Sequence, residues 1–178
     1  MPYTTAQQRL FLRMLRLTLS QAQVQQMRCY TQHGDTDTLL HCVAVAYYSH
    51  RVACFLAGVI PFHETELIRG ALLHDYYLYD WHVPDPSHQL HGFRHPGFAL
   101  QNAQRDFPLT RREKNIIARH MFPLTPTPPT CREAVLVCLV DKVCSVYETF
   151  GKGRYSALRR RCERQLRPVK VRVFPGKQ

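Results

Sequence analysis

Apolar residues recur at helical spacing through most of this chain, interrupted by glycine, proline and short polar clusters. Near the N-terminus, Leu12, Leu15 and Leu19 share one face and Thr5-Ala-Gln-Gln8 supplies a cap, which predicts an amphipathic helix to about Arg28. A polar turn, His33 to Thr38, separates it from a second helix over about Thr38 to Ala57 that stops at Gly58. Pro61 precedes a third, from about Glu64 to Tyr76. The stretch Tyr79 to Phe93 carries Pro84, Pro86 and Gly92 without a helical period, so it is expected as a long loop. Pro96 suits a first helical position, which makes His95 the N-cap of the next helix, with Ala99, Ala103 and Phe107 inward. Thr110-Arg-Arg-Glu113 and Thr130-Cys-Arg-Glu133 both read as capping boxes. They open helices through His120 and to about Phe150, with the proline-rich connector Pro123 to Pro129 between them. A basic amphipathic helix is predicted over Tyr155 to Leu166, and only Val169 to Phe174 alternates as a strand would. The expected class is all-α, a single-domain helical bundle. Its parts are an N-terminal helix in residues 1–30, a core in 31–150 and a basic helix and tail in 151–178.

Composition narrows this picture. With 45% hydrophobic and 21% charged residues the chain can bury a sizeable core. No apolar run approaches the roughly 18 residues that span a bilayer. Leu10 to Leu19 is broken by Arg13 and Arg16 and lacks a small-residue cleavage site, so it reads as a helix and not a signal peptide. The seven cysteines are odd in number, scattered and without C-x-x-C, which argues against a disulfide framework or a thiolate zinc site. They are expected as core filler in a cytoplasmic protein. The formal charge of +11 sits at the ends: residues 151–178 carry ten basic side chains against one glutamate, whereas 31–150 carry ten against twelve acids. That tail is read as a solvated basic helix, or as a contact for nucleic acid or another acidic partner.

Several ionisable groups fall where a helix should present its apolar face. His41 shares a stripe with Ala44, Val45 and Tyr48, and His74 follows Leu67, Gly70 and Ala71 on one face. Asp75 is its neighbour, near the helix end. His120 lies four residues after Ile116, and Asp141 four after Val137 in an otherwise apolar face. An unpaired carboxylate there would cost several kcal/mol. Taken singly, each histidine reads as a hydrogen-bonded core residue and Asp141 as half of an ion pair. Taken together with His95, the five stations point to one metal centre held between helices.

The order H…HD…H…H…D, formed by His41, His74-Asp75, His95, His120 and Asp141, resembles the HD superfamily of metal-dependent phosphohydrolases over about residues 38–148. Its local markers are Ala71-Leu72-Leu73 ahead of His-Asp, and Asp141-Lys142 after an apolar helical run. His95 and His120 match the two-metal branch, which includes bacterial dinucleoside-tetraphosphate hydrolases and cyclic-dinucleotide phosphodiesterases. The resemblance implies an HD-type bundle, two divalent ions with Asp75 touching both, and hydrolysis of a phosphate ester or anhydride of a small nucleotide-like substrate. The donor set, four imidazoles and two carboxylates without sulfur, suits iron, manganese, cobalt, nickel or zinc. Such a pair, about 3.5–4 Å apart, holds a bridging hydroxide near neutral pH.

Further residues are candidates around this centre. Arg69, Arg94 and Lys142 are candidate phosphate partners, Lys142 foremost, though each reads more simply as a surface ion-pair former. Asp80 and His82 are candidates for proton transfer or for orienting a ligand. His91 is a substrate-side candidate, because Gly92 and Pro96 argue against a helix shared with His95. Tyr76, Tyr77, Tyr79 and Trp81 either stack on a substrate ring or pack beneath the long loop. They also stand where the phosphodiesterases carry a glycine-lysine, which argues against cyclic-dinucleotide cleavage. Two other readings stay open: a di-iron oxygenase on the same ligands, and a non-catalytic metal-stabilised domain that binds an acidic partner.

Overall fold

The computed structural model describes residues 3–86, 89–150 and 155–165. Among them the regular structure is helical apart from one small hairpin. Helix α1 (Thr5–Leu19) opens on a capping box one residue earlier than expected, with Thr4 as cap and Gln7 as its partner. It buries Phe11, Met14, Leu15 and Leu19, while Leu12 is only partly covered. The helix does not continue to Arg28. It breaks at Ser20, where the Gln25 side chain donates to the Leu19 carbonyl, and re-forms as the short α2 (Ala22–Gln25) and a single 3-10 turn over Gln26–Cys29. The predicted polar turn is an antiparallel hairpin, β1 (Thr31–His33) with β2 (Thr36–Asp37). Gly34 turns it in the left-handed region, φ 57°, which glycine adopts without steric cost.

Helix α3 (Thr38–Leu56) starts where Asp37 accepts the Leu40 N–H at 2.9 Å. It forms the centre of the bundle with α4 (Glu64–Leu73), and α7 (Arg132–Thr149) packs on it as well. Helix α6 (Arg111–Arg119) bridges α4 and α7, and α5 (His91–Asp106) lies against α6. Helix α1 packs chiefly on α4 and also on α3, and α8 (Ser156–Gln165) packs on α3 and α1. Contrary to the sequence expectation, α3 is long and apolar enough to cross a membrane by length and composition. However, 67% of that window is buried against the rest of the chain, the position of a core helix. At the α4–α6 crossing Gly70 is required for close approach, since a Cβ there would stand 2.5 Å from Ile116 Cδ1.

Three expectations are corrected. His95 is not a helix cap: α5 begins at His91, with Leu90 as N-cap at a positive φ of 56°. Pro96 therefore sits in the second turn, where its missing N–H removes one bond, the one to the Gly92 carbonyl. The Thr110–Glu113 capping box forms, but the Thr130–Glu133 box does not. Glu133 is instead buried and accepts the His63 N–H at 3.0 Å, which secures the start of α4. Helix α4 ends at Leu73, so the His74-Asp75 pair stands at its C-terminus and Tyr76 beyond it. The strand expected over Val169 to Phe174, and most of the basic tail, lie outside the described residues.

Candidate metal centre

Five helices deliver the six predicted ligands to one place. His41 comes from the middle of α3, His74 and Asp75 from the end of α4, and His95 from the second turn of α5. His120 follows the end of α6, and Asp141 projects from the middle of α7. All six are buried. Asp75 is the hub. Its Oδ2 lies 3.5 Å from His74 Nε2 and 3.8 Å from His41 Nε2. Its Oδ1 lies 3.1 Å from His95 Nε2 and 3.3 Å from His120 Nε2. Asp141 Oδ1 completes the first half, 3.0 Å from His41 Nε2 and 3.5 Å from His74 Nε2. The carboxylate thus stands between a His41–His74–Asp141 group and a His95–His120 group.

The rings are all held the same way round. Nδ1 of His74 faces the Ala71 carbonyl at 2.7 Å, that of His95 the His91 carbonyl at 2.8 Å, and that of His120 the Ile117 carbonyl at 2.8 Å. Nδ1 of His41 meets the Glu148 carboxylate at 2.9 Å. Each partner can only accept, so Nδ1 carries the hydrogen and Nε2 of the neutral ring presents a lone pair to the centre. Two of those lone pairs, on His95 and His120, are only 2.8 Å apart. His74 Nε2 and Asp75 Oδ1 are buried without a hydrogen-bond partner. Opposed lone pairs and orphaned acceptors are costly in a protein interior unless a cation lies among them. The residues fit a metal ion: donor atoms of His41, His74 and Asp141, and again of His74, Asp75 and His120, fall within 4.8 Å of one another.

Electrostatics keep the two carboxylates in ligating form but favour a proton on His41 and His74 while no metal is bound. Burial favours a neutral Asp75, yet His74 and His95 outweigh it and hold the carboxyl well below the usual range. Asp141 is depressed likewise, burial being overcome by His41 and His74. Burial opposes charge on His41 and His74 too. The carboxylates of Asp141 and Glu148 raise the first above its ordinary value, and Asp75 raises the second. Burial prevails at His120 and lowers it.

Residues that the sequence reading did not single out support this centre. Gln32, on β1, donates to Asp75 Oδ2 at 2.7 Å, and its own carbonyl oxygen accepts from the Tyr77 and Thr38 hydroxyls. His33 packs edge-on against His41. Glu148 lies seven residues beyond Asp141 on α7. That two-turn spacing was its only signal in the sequence. For Gln32 the signal was the adjoining glycine turn, legible as a turn but not as a hairpin that reaches Asp75.

A cleft of about 710 Å³ opens onto Asp75, His95, His120 and Asp141, with Trp81 and Leu124 among its outer walls. His91 lines it and shares a helix with His95 after all, the two rings stacked at 4.5 Å with Trp81 on the far side of His91 at 5.1 Å. Tyr79 meets His91 Nδ1 at 2.9 Å. Lys142 also lines the cleft, its ammonium donating to the His120 and Cys138 carbonyls at 2.9 and 3.2 Å. The remaining candidates lie elsewhere. Arg69 grips Glu113 with two hydrogen bonds and ties α4 to α6. Exposed Arg94 lies over the Phe98 ring, and Asp80 pairs with His82 on the surface. Tyr76 is a buried core residue, and buried Tyr77 turns its hydroxyl to Gln32 behind Asp75. No protein-family model, curated protein or solved structure matches this chain. The function therefore rests on the geometry and chemistry of the centre.

Proposed function

We propose that this chain is a metal-dependent phosphohydrolase of the HD type that acts on a small phosphate ester or anhydride, with a nucleotide-like group as the preferred class. The observation that carries the reading is the position of Asp75, one oxygen toward His41 and His74 and the other toward His95 and His120. That arrangement suits two divalent ions of iron, manganese, cobalt, nickel or zinc, because imidazole and carboxylate donors favour borderline metals. When bound, such a pair supplies a water ionised near neutral pH and a Lewis acid for phosphoryl oxygens.

The rest is done by the chain itself. His41, His74 and Asp141 would hold one ion, His95 and His120 the other, and Asp75 both. Glu148 fixes the His41 ring, and Gln32 fixes the Asp75 carboxylate. Lys142 stands at the cleft wall with its ammonium resting on backbone carbonyls, from which it can turn to a substrate phosphate. Trp81 and His91 offer a stacked aromatic wall to a flat substrate ring.

The test is metal analysis followed by assays on a panel of phosphate esters and nucleotides with Mn²⁺, Fe²⁺, Co²⁺ and Ni²⁺. Two ions per chain with phosphate release supports the proposal. Oxygen uptake by an iron-loaded protein that releases no phosphate would assign it instead to di-iron oxygenases. A metal-replete protein inert in both assays would leave a binding domain.

A further inference from the structure

A second cluster of ligating side chains lies on α3, separate from the Asp75 centre. His50 comes nine residues after His41, which places it half a turn round the helix and about 13 Å along it. Cys54 follows one turn later on the same face, and Glu64, the first residue of α4, closes from the neighbouring helix. His50 is fully buried. Its Nε2 lies 2.7 Å from Glu64 Oε2, and Cys54 Sγ lies 4.0 Å from the same oxygen. One donor atom from each of the three falls within 4.8 Å of the others. The Tyr3 hydroxyl meets His50 Nδ1 at 2.7 Å from the opposite side. A cavity of about 350 Å³, lined by Tyr3, Arg51 and Cys54 among others, gives access to the cluster. Arg51 turns its guanidinium over the rings of Tyr3 and Tyr47.

A reactive cysteine does not account for this arrangement. Burial, reinforced by Glu64, pushes the Cys54 thiol up to about 11, so it is protonated at neutral pH and a poor nucleophile. Imidazole, thiol and carboxylate together form a donor set that zinc favours. A tetrahedral zinc ion, with Zn–N about 2.0 Å and Zn–S about 2.3 Å, spaces its ligand atoms roughly 3.5 Å apart. The three donors surround a position of that size after small side-chain shifts.

We propose that His50, Cys54 and Glu64 form a second, sulfur-containing metal site that takes zinc(II), with water from the adjoining cavity in the fourth position. On loading, the thiol proton leaves to solvent as sulfur bonds the metal. The His50 proton passes from Nε2, where it served Glu64, to Nδ1, where the Tyr3 oxygen accepts it. One proton is therefore released for each ion bound. C-x-x-C signatures miss such a site, because it uses one cysteine and draws its third ligand from another helix.

The test uses the full-length protein loaded with cobalt(II) as a spectroscopic probe. The Asp75 centre contains no sulfur ligand, so a near-ultraviolet thiolate-to-cobalt charge-transfer band reports on the second site alone. The wild type should show the band. Cys54→Ser should abolish it and lower the cobalt content by about one ion per chain, while Asp141→Ala should retain it. A band that survives in Cys54→Ser would place the sulfur ligand on another cysteine and overturn the assignment. A wild type without the band would reduce Tyr3, His50 and Glu64 to a hydrogen-bonded staple of the N-terminus, and would overturn it equally. Both outcomes are independent of phosphate release, so they leave the proposed hydrolase activity to its own test.

Discussion

Asp75 is the residue on which the proposed chemistry turns, because its two carboxylate oxygens face one histidine group each. Asp75→Ala should remove both ions and all phosphate release. His95→Ala and His120→Ala should each keep the ion on the His41 side and lose turnover by orders of magnitude, since the ionised water needs both metals. Metal stoichiometry plotted against activity across these variants decides the matter, and unchanged stoichiometry in both histidine variants would sink the two-metal mechanism. Gln32 gives a finer check. It touches Asp75 but is no candidate ligand, so Gln32→Ala should weaken metal binding or activity roughly 10–100-fold while the fold persists. A titration indistinguishable from wild type would mean that Asp75 needs no such support. Four of the six candidate ligands, His41, His74, His120 and Asp141, were legible as ionisable groups at apolar positions, whereas Asp75 and His95 were legible only as members of the ordered set. Gln32, His33 and Glu148 were not, because a polar residue in a turn or near a helix end is ordinary until its partner is known.

Elements position these residues, and the α4–α6 crossing is the tightest point in that frame. Helix α4 delivers His74 and Asp75, and α6 delivers His120. Gly70→Ala would force a Cβ against fully buried Ile116, with Cδ1 at 2.5 Å and its Cβ at 3.1 Å. We expect a loss of about 1–3 kcal/mol of stability, read as a lower denaturation midpoint. Weaker metal binding should accompany it, because the two helices must move apart. An unchanged midpoint would show that Ile116 can give way freely. At this scale local pattern did well for α3, α6 and α8, where caps or periodicity are strong. It failed at α5, where Gly92 and Pro96 suggested a boundary that the helix simply runs through. It failed again at Glu133, whose carboxylate goes to the His63 N–H, 70 residues away in the chain, and not to its own helix start.

For the whole molecule, the proposed centre gathers buried imidazoles and carboxylates from helices α3 to α7, which bound metal would tie together. Chelation of the metals should therefore cost stability. At a thousandfold excess over the dissociation constant a bound ion contributes about 4 kcal/mol, roughly 10 °C in melting temperature for a chain of this length. A chelator that leaves the melting temperature unmoved would contradict this. The pH response separates the two states. His41 and His74 have raised values in the metal-free fold, so their stabilisation is present below about pH 6.5 and lost as pH rises through the folded value. Asp75 and Asp141 are depressed, so theirs is present above about pH 4 and lost on acidification below it. Metal-free protein should thus weaken as pH climbs above neutrality, whereas metal affinity should rise over the same range because binding displaces those protons. Parallel pH trends in the two measurements would show that the imidazoles are neutral without metal. The helical class and the choice of candidate ligands were legible in the sequence alone, since periodicity and residue type report which face of each element is buried and what chemistry is costly there. Only the tertiary structure decided that Asp75 stands between two histidine groups, that Glu148 orients His41 across 107 residues, and that Arg69 serves a helix crossing and not a phosphate. Burial is a property each element encodes locally, but which buried groups meet depends on how separate helices pack, and no spacing along the chain records that.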